Sequence, residues 1–276
     1  MNSNHSPIGI FDSGFGGLTV FKEIETLLPQ YDYLYLGDNA RAPYGSRSFE
    51  TVYQYTWQSM QWFFEMGCPL VIVACNTASA KALRNIQQLD LPHTVDPTRR
   101  ILGVIRPTTE VLGQYTQSGK VGILGTIGTV KSDSYPIEME KYWPEVEVFQ
   151  QACPLWVSLI ENDEHESEVA DYFVRKYLEQ LFAQESEIDT LLLGCTHYPL
   201  LMPKLKKHVP AHVKLVSQGE IVAKSLVDYL ARHPELESRL SRGETRRFCT
   251  TDNPGDFGKQ AQIFLGREIE ASGVHL

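Results

Sequence analysis

The sequence lacks long hydrophobic runs and an excess of positive charge. No apolar stretch in its 276 residues approaches the ~20 residues that a membrane-spanning helix needs. The formal net charge is −9, whereas nucleic-acid-binding surfaces are normally basic, so we expect neither a membrane nor a nucleic acid as partner. The first five residues lack the basic and then apolar order of a secretory signal. With 42% apolar and 21% charged residues, the composition predicts a globular cytoplasmic protein.

Cysteine is scarce, and its spacing argues against its usual structural roles. The five cysteines are odd in number, widely separated and never arranged as Cys-x-x-Cys. This pattern is poor for a disulfide framework or a structural zinc site and indicates a reducing compartment. We expect Cys68, Cys153 and Cys249 to be small buried side chains. Cys195 and His197 are spaced so that they can share a metal ion, but no further cluster accompanies them, so no metal site is predicted.

Short β-branched runs alternate with helical patterns along the chain. The runs at 8–11, 33–36 and 70–74 are strand-like, and 49–66 has the period of a long helix. After the third run, a helix is expected to bury Ala82, Leu83, Ile86 and Leu89 on one face. Later patterns predict a strand at 213–216, a helix at 221–230, a strand at 247–251 and a helix at 257–265. This alternation predicts an α/β fold with parallel sheets covered on both faces.

The second part of the chain repeats the first. Lys120-Val-Gly-Ile-Leu-Gly-Thr126 mirrors Pro7-Ile-Gly-Ile-Phe-Asp-Ser13, and each is followed at a similar distance by an apolar run ending in cysteine. The repeat predicts two pseudo-symmetric α/β lobes with the active site in the cleft between them, at the carboxyl ends of the strands. A boundary is expected in the proline-containing segment 90–98. The elements after the second cysteine can complete either lobe.

Cys75 and Cys195 have matching surroundings. The sequence reads Leu70-Val-Ile-Val-Ala-Cys75-Asn76-Thr77 at the first and Leu191-Leu-Leu-Gly-Cys195-Thr196-His197 at the second. Helix N-termini and nearby cations lower the pKa of a thiol from its usual ~8.5, which suits a general base at neutral pH. A thiolate on one face of a carbon and a thiol on the other can move a proton across it. Such a pair inverts a stereocentre without a cofactor.

Polar residues beside the cysteines fit supporting roles. Asp12 and Ser13 follow the first strand and therefore project into the same cleft, and Asp38 follows the second strand. Asn76-Thr77 and Thr196-His197 lie where backbone N–H groups at a helix start can receive a carboxylate. The glycine-rich segment 13–17 is either a turn or a phosphate cradle; it matches neither the P-loop nor the dinucleotide fingerprint, which favours a turn.

Four blocks together resemble a known family. They are Phe11-Asp-Ser-Gly-Phe-Gly-Gly-Leu-Thr19, Gly37-Asp-Asn-Ala-Arg-Ala-Pro-Tyr-Gly45, Ala74-Cys-Asn-Thr-Ala78 and Leu193-Gly-Cys-Thr-His-Tyr-Pro199. In order and spacing they resemble the glutamate racemases of the aspartate/glutamate racemase family. The likeness continues through segments 125–129, 153–161 and 249–252, and so covers nearly the whole chain.

The resemblance implies a cofactor-independent isomerase that interconverts L- and D-glutamate and supplies D-glutamate for peptidoglycan synthesis, cell-wall biogenesis and cell shape. Cys75 and Cys195 would be the proton donors and acceptors, Asp12 would assist Cys75, and His197 with Glu161 would assist Cys195. The implied substrate contacts are Asp12, Ser13, Tyr44, Gly45, Asn76, Thr77, Thr196 and His197, with Thr126 and Thr129 as weaker candidates.

The resemblance also implies the lobe organisation and the assembly. The carboxyl-terminal segment would return to the first lobe, giving a first lobe of residues 1–98 plus 216–276 and a second lobe of residues 99–215. The protein would be a homodimer.

Four of the supporting residues can have a purely structural role, and two other functions are possible. Asp12 can cap a turn, His197 can be a buried structural histidine, Tyr44 can pack, and Glu161 can be a solvated charge. A racemase for aspartate or a hydantoin shares the two-thiol logic and differs in the side-chain pocket. A mainly binding role is the alternative from another class, since members of the family that inhibit DNA gyrase are known.

Overall fold

Parallel strands form the framework of the molecule. The computed structural model describes residues 6–276. Its strands are β1 (Ile8–Asp12), β2 (Tyr33–Gly37), β3 (Leu70–Val73), β4 (Arg100–Gly103), β5 (Lys120–Gly125), β6 (Glu147–Ala152), β7 (Thr190–Gly194), β8 (Lys214–Val216), β9 (Arg246–Thr250) and β10 (Ala271–Gly273). Within residues 6–276, one sheet has the order β10-β9-β2-β1-β3-β4 and the other β6-β5-β7-β8, and the paired strands are parallel.

Helices connect the strands and cover both sheets. They are α1 (Gly17–Leu27), α2 (Phe49–Glu65), α3 (Asn76–Ala78), α4 (Ile105–Leu112), α5 (Ile127–Lys131), α6 (Ser134–Tyr142), α7 (Trp156–Glu161), α8 (Glu168–Phe182), α9 (Met202–His208), α10 (Gly219–Arg232), α11 (Pro234–Glu237) and α12 (Pro254–Leu265). The short α3 continues as π-helical turns at Ser79–Leu83 and Ile86–Asp90. No helix in the described part of the chain combines the length and apolar character that crossing a membrane requires.

The central strands are apolar runs because both of their faces are covered. Every residue of β1, β2, β3 and β7 is buried. On one side of the first sheet, Val52, Met60 and Phe63 of α2 pack against Val71 and Val73 of β3 in a common cluster. Burial of these side chains from water is the main force that fixes helices onto the sheet.

The two sheets repeat one topology. The order β2-β1-β3-β4 in the first matches β6-β5-β7-β8 in the second, while β9 and β10 extend the first sheet beyond β2. Cys75 follows β3, and Cys195 follows the equivalent strand β7. The predicted α/β class with two pseudo-symmetric lobes is therefore confirmed.

The predicted boundary between residues 98 and 99 does not match the sheets. Strand β4 lies within residues 99–215, the predicted second lobe, but it pairs in parallel with β3 of the first sheet. The prolines of 90–98 end the preceding helical pattern, but the chain then forms β4 as a fourth strand of the first sheet before it crosses to β5. After β8 the chain returns to the first sheet, where β9 pairs with β2 and α10 packs against α1.

Candidate active site

Both strand-end thiols line one small cavity between the lobes. The cavity has a volume of about 30 Å³, and Cys75 and Cys195 are only 5% and 6% exposed. Its lining residues are Asp12, Ser13, Pro43, Tyr44, Gly45, Cys75, Asn76, Thr77, Thr126, Val157, Glu161, Cys195, Thr196 and His197. A space of this size holds about one water molecule. An amino acid therefore enters only when the cavity widens.

The lining brings together the catalytic and substrate-binding candidates from the sequence. The two cysteines, Asp12, His197 and Glu161 lie around it with every residue expected to contact substrate. Of the two weaker candidates, Thr126 lines the cavity, and Thr129 lies behind it with its Oγ1 3.1 Å from Thr126 Oγ1. The individual roles in binding and catalysis remain predictions.

Cys75 lies between a serine and a helix start. Its thiol donates to Ser13 Oγ at 3.5 Å, and its Sγ accepts from the backbone N–H of Ala78 at 3.5 Å. Burial, reinforced by the nearby Asp12 carboxyl, raises the pKa of Cys75 to about 12. One backbone N–H and one hydroxyl therefore do not compensate the desolvation of a thiolate.

Asp12 both caps the first turn and keeps an oxygen free. Its Oδ2 accepts from the backbone N–H of Gly14 at 2.9 Å, so the turn-capping alternative holds in part. Its Oδ1 is buried and has no hydrogen-bond partner within residues 6–276. Burial raises the pKa of Asp12, although the charge of His197 opposes the shift. Asp12 lines the cavity, so its carboxyl lies close to any cationic group that binds there.

Cys195 lies beside a histidine–carboxylate pair. His197 Nδ1 is 3.9 Å from Cys195 Sγ, and His197 Nε2 is 2.9 Å from Glu161 Oε1. Burial alone lowers the pKa of His197, but the hydrogen bonds to Cys195 and Glu161 outweigh it and raise this pKa well above its usual range. A protonated His197 can supply a proton to the thiolate of Cys195. Glu161 is thus a partner of His197 and not merely a solvated charge.

The glycine-rich segment 13–17 allows the two lobes to approach each other closely. A Cβ at Gly16 would lie 2.3 Å from His197 Nδ1 and 2.5 Å from Thr196 Oγ1. The hydroxyl of Thr19 donates to the carbonyl oxygen of Thr196 at 2.9 Å. The second lobe therefore occupies the space in front of this turn, which excludes the phosphate-cradle alternative.

Tyr44 lines the cavity, and its hydroxyl is already engaged by a neighbouring side chain. Its hydroxyl donates to the buried carboxylate of Asp38, which also accepts from Arg41 Nε at 2.7 Å. The next residue, Gly45, accepts from the backbone N–H of Gly128 at 2.8 Å. Tyr44 is thus held by packing and by Asp38, and its loop is tied to the second lobe.

The contacts between the lobes, and two residues that support Asn76, escaped the sequence analysis. Thr77 Oγ1 lies 2.9 Å from Thr126 Oγ1 across the two lobes. The side chain of Asn76 is bonded to Tyr135 and Gln218, neither of which stood out in any motif. These contacts join distant parts of the chain, so no local pattern signals them.

Two observations separate this cavity from other kinds of site. Within residues 6–276, no group of three or more His, Cys, Asp or Glu side chains is arranged to hold a metal ion. A larger cleft of about 740 Å³ is lined by residues such as Arg84, Glu110 and Lys141 and contains neither Cys75 nor Cys195. Size alone therefore does not mark the reactive site.

Comparison with known proteins agrees with this geometry. The family model described as Asp/Glu/Hydantoin racemase matches residues 8–226. A glutamate racemase of Geobacter metallireducens is 42% identical over 95% of this chain and 93% of that protein. The crystal structure of a glutamate racemase from Bacillus anthracis has a TM-score of 0.88 at 34% identity, covering 99% of this chain and 98% of that one. One from Francisella tularensis, in complex with D-glutamate, has a TM-score of 0.86 at 30% identity, with coverage of 99% and 98%.

The cavity geometry and these relatives lead to the same conclusion: the chain belongs to the Asp/Glu/Hydantoin racemase family.

Proposed function

We propose that the protein is a glutamate racemase that inverts the α-carbon with two opposed thiols and without a cofactor. One observation carries the proposal. Cys75 and Cys195 leave equivalent strands of two pseudo-symmetric lobes and line the same cavity. Each has its own acid/base neighbour, Asp12 on one side and His197 on the other. A substrate between them has a proton carrier on each face.

The proton balance of the reaction needs only these groups. A thiolate breaks the α-C–H bond and becomes a thiol, and the opposite thiol gives its proton to the other face of the carbanion. The reverse direction exchanges the two roles. The raised pKa keeps Cys75 neutral until a substrate binds. A substrate ammonium places a positive charge nearby, which favours the thiolate.

The polar lining suits an amino acid with two carboxylates. Hydroxyls of Ser13, Thr77 and Thr196 and the amide of Asn76 supply hydrogen-bond donors. The carboxyl of Asp12, which lines the cavity, supplies an acceptor for the ammonium group. The relative from Francisella tularensis binds D-glutamate, which supports glutamate as the substrate here.

The biological setting follows from this activity. The protein supplies D-glutamate for peptidoglycan synthesis, and through it for cell-wall biogenesis and cell shape. It works in the cytoplasm as a homodimer. Its net charge of −9 argues against a nucleic-acid partner.

A circular-dichroism assay of the purified protein tests the proposal. L- and D-glutamate should each approach the racemic mixture, while aspartate should keep its optical activity. Cys75→Ala and Cys195→Ala should each abolish the change. Cys249→Ala, a buried cysteine of β9 outside the cavity, is the matched control and should stay active. Turnover of aspartate or a hydantoin in place of glutamate would assign a different substrate.

A further inference from the structure

A closed ring of three hydrogen bonds holds the side chain of Asn76. Asn76 Nδ2 donates to Gln218 Oε1 at 2.7 Å, and Gln218 Nε2 donates to Tyr135 Oη at 2.8 Å. The Tyr135 hydroxyl completes the ring by donating to Asn76 Oδ1 at 2.6 Å. Each group donates once and accepts once, so the three bonds have one consistent direction. Such a ring fixes which side of the Asn76 amide is oxygen and which is nitrogen.

The ring joins both lobes and both crossings between them. Asn76 begins α3 in the first lobe, Tyr135 lies in α6 of the second, and Gln218 lies where the chain returns from β8 to α10. Gln218 Nε2 also lies 3.0 Å from Thr108 Oγ1 and 3.2 Å from the carbonyl oxygen of Val104, at the outward crossing. The three members of the ring are no more than 3% exposed. Water therefore does not replace a lost partner at low cost.

The ring leaves part of Asn76 for the cavity. An amide nitrogen carries two N–H groups, and one of them is bonded to Gln218. Asn76 lines the cavity, whereas Gln218 and Tyr135 do not. We propose that Gln218 is a positioning residue, which orients the Asn76 amide so that its second N–H faces a carboxylate of the substrate. The inference rests on the proposed racemase function, which supplies that carboxylate.

A double-mutant cycle tests whether Gln218 acts through Asn76. Gln218→Met keeps the side-chain length and removes the hydrogen bonds. It should raise KM for both enantiomers about tenfold, the cost of a misplaced hydrogen bond to a charged group, with little change in kcat. Asn76→Ala should raise KM at least as much. The double variant should be no worse than Asn76→Ala, because the two residues share one interaction.

Two further variants keep the test decisive. Tyr135→Phe removes the hydroxyl that fixes Asn76 Oδ1 and should also raise KM. This variant keeps the test available if Gln218→Met fails to fold. Thr108→Val removes a contact of Gln218 that does not reach Asn76 and should leave KM at the wild-type value. Thermal unfolding of each variant confirms that the comparison is between folded proteins.

Calorimetric binding of D-glutamate separates this inference from the proposed function. The dissociation constants should follow the same non-additive cycle as KM. A binding cycle of this form in a protein without turnover would overturn the function and support the positioning role. If Gln218→Met weakens binding by the same factor with and without Asn76→Ala, Gln218 acts independently and the positioning role is wrong.

Discussion

The alkaline reactivity of Cys75 gives the sharpest test of the electrostatics of the site. Its pKa is about 12, against 9.0 for an unperturbed thiol, a difference of about 4 kcal/mol in the cost of the thiolate. At about pH 8, roughly one Cys75 in ten thousand is a thiolate, against roughly one in ten for an unperturbed thiol. Alkylation by iodoacetamide requires the thiolate. We therefore expect Cys75 in the ligand-free protein to react about a thousandfold more slowly than its exposure alone would give.

The test depends on how the alkylation rate changes with pH. Limited access of iodoacetamide to Cys75 lowers the rate at every pH, but it does not change the pH at which the rate levels off. Peptide-level mass spectrometry should show the alkylation rate of Cys75 rising about tenfold per pH unit from about pH 7 to about pH 10.5, without levelling. Asp12→Asn removes a negative neighbour and should bring the curve to lower pH. Far-UV circular dichroism across the series controls for alkaline unfolding. A plateau below about pH 9 would refute the reasoning, since it would mean that burial does not govern this thiol.

Three other substitutions have defined outcomes. Cys195 and, after it, Glu161 raise the pKa of His197. Glu161→Gln keeps a hydrogen-bonding partner for His197 but removes the Glu161 charge, so the alkaline limb of the kcat/KM profile should move to lower pH. An unchanged profile would contradict the pairing. Gly16→Ala places a Cβ within 2.3 Å of His197. It should lower the free energy of unfolding in urea by about 1–3 kcal/mol and reduce the racemase activity. Gly125→Ala is the control and should lower the free energy of unfolding less, because its Cβ meets nothing nearer than 3.4 Å. Asp12 has a raised pKa in the fold, so the unfolded state loses its proton first and the native state loses stability as pH rises above about 3.9. Asp12→Asn should therefore be more resistant to urea than the wild type near neutral pH while racemising more slowly, and equal urea resistance would contradict the sign of the shift.

The sequence was sufficient for the parts of the fold whose signals are local. Strand β1 was expected at 8–11 and lies at Ile8–Asp12, and α2 was expected at 49–66 and lies at Phe49–Glu65. Apolar runs between turns and a long amphipathic period determine such elements directly. The two cysteines could be found for the same reason, since each directly follows such a run.

Elements with weaker patterns were missed. Strand β4 is four residues long, and β6 is only partly buried and contains two glutamines, so neither gives a strong strand signal. The helix after Cys75 was expected to bury Leu89, which is 60% exposed. Its π-helical turns at Ser79–Leu83 and Ile86–Asp90 shift the faces away from the 3.6-residue period that the prediction assumed.

The electrostatics and the supporting contacts of the site could not be predicted from the sequence, because they depend on the three-dimensional structure. A helix start lowers the pKa of a thiol in general, but the sequence does not give the degree of burial, which raises the pKa of Cys75. Gln218 reaches Asn76 across 142 positions of the chain. Only the closing of the two lobes brings these side chains together.

Hydrogen exchange by single-thiol variants tests the two-thiol claim most directly. In heavy water, the wild-type protein should place deuterium on the α-carbon of the enantiomer that it forms. Cys75→Ser and Cys195→Ser should each lose racemisation but retain slow α-proton exchange of one enantiomer, and the two variants should act on opposite enantiomers. Racemisation by either variant, or exchange of the same enantiomer by both, would contradict proton transfer across the cleft.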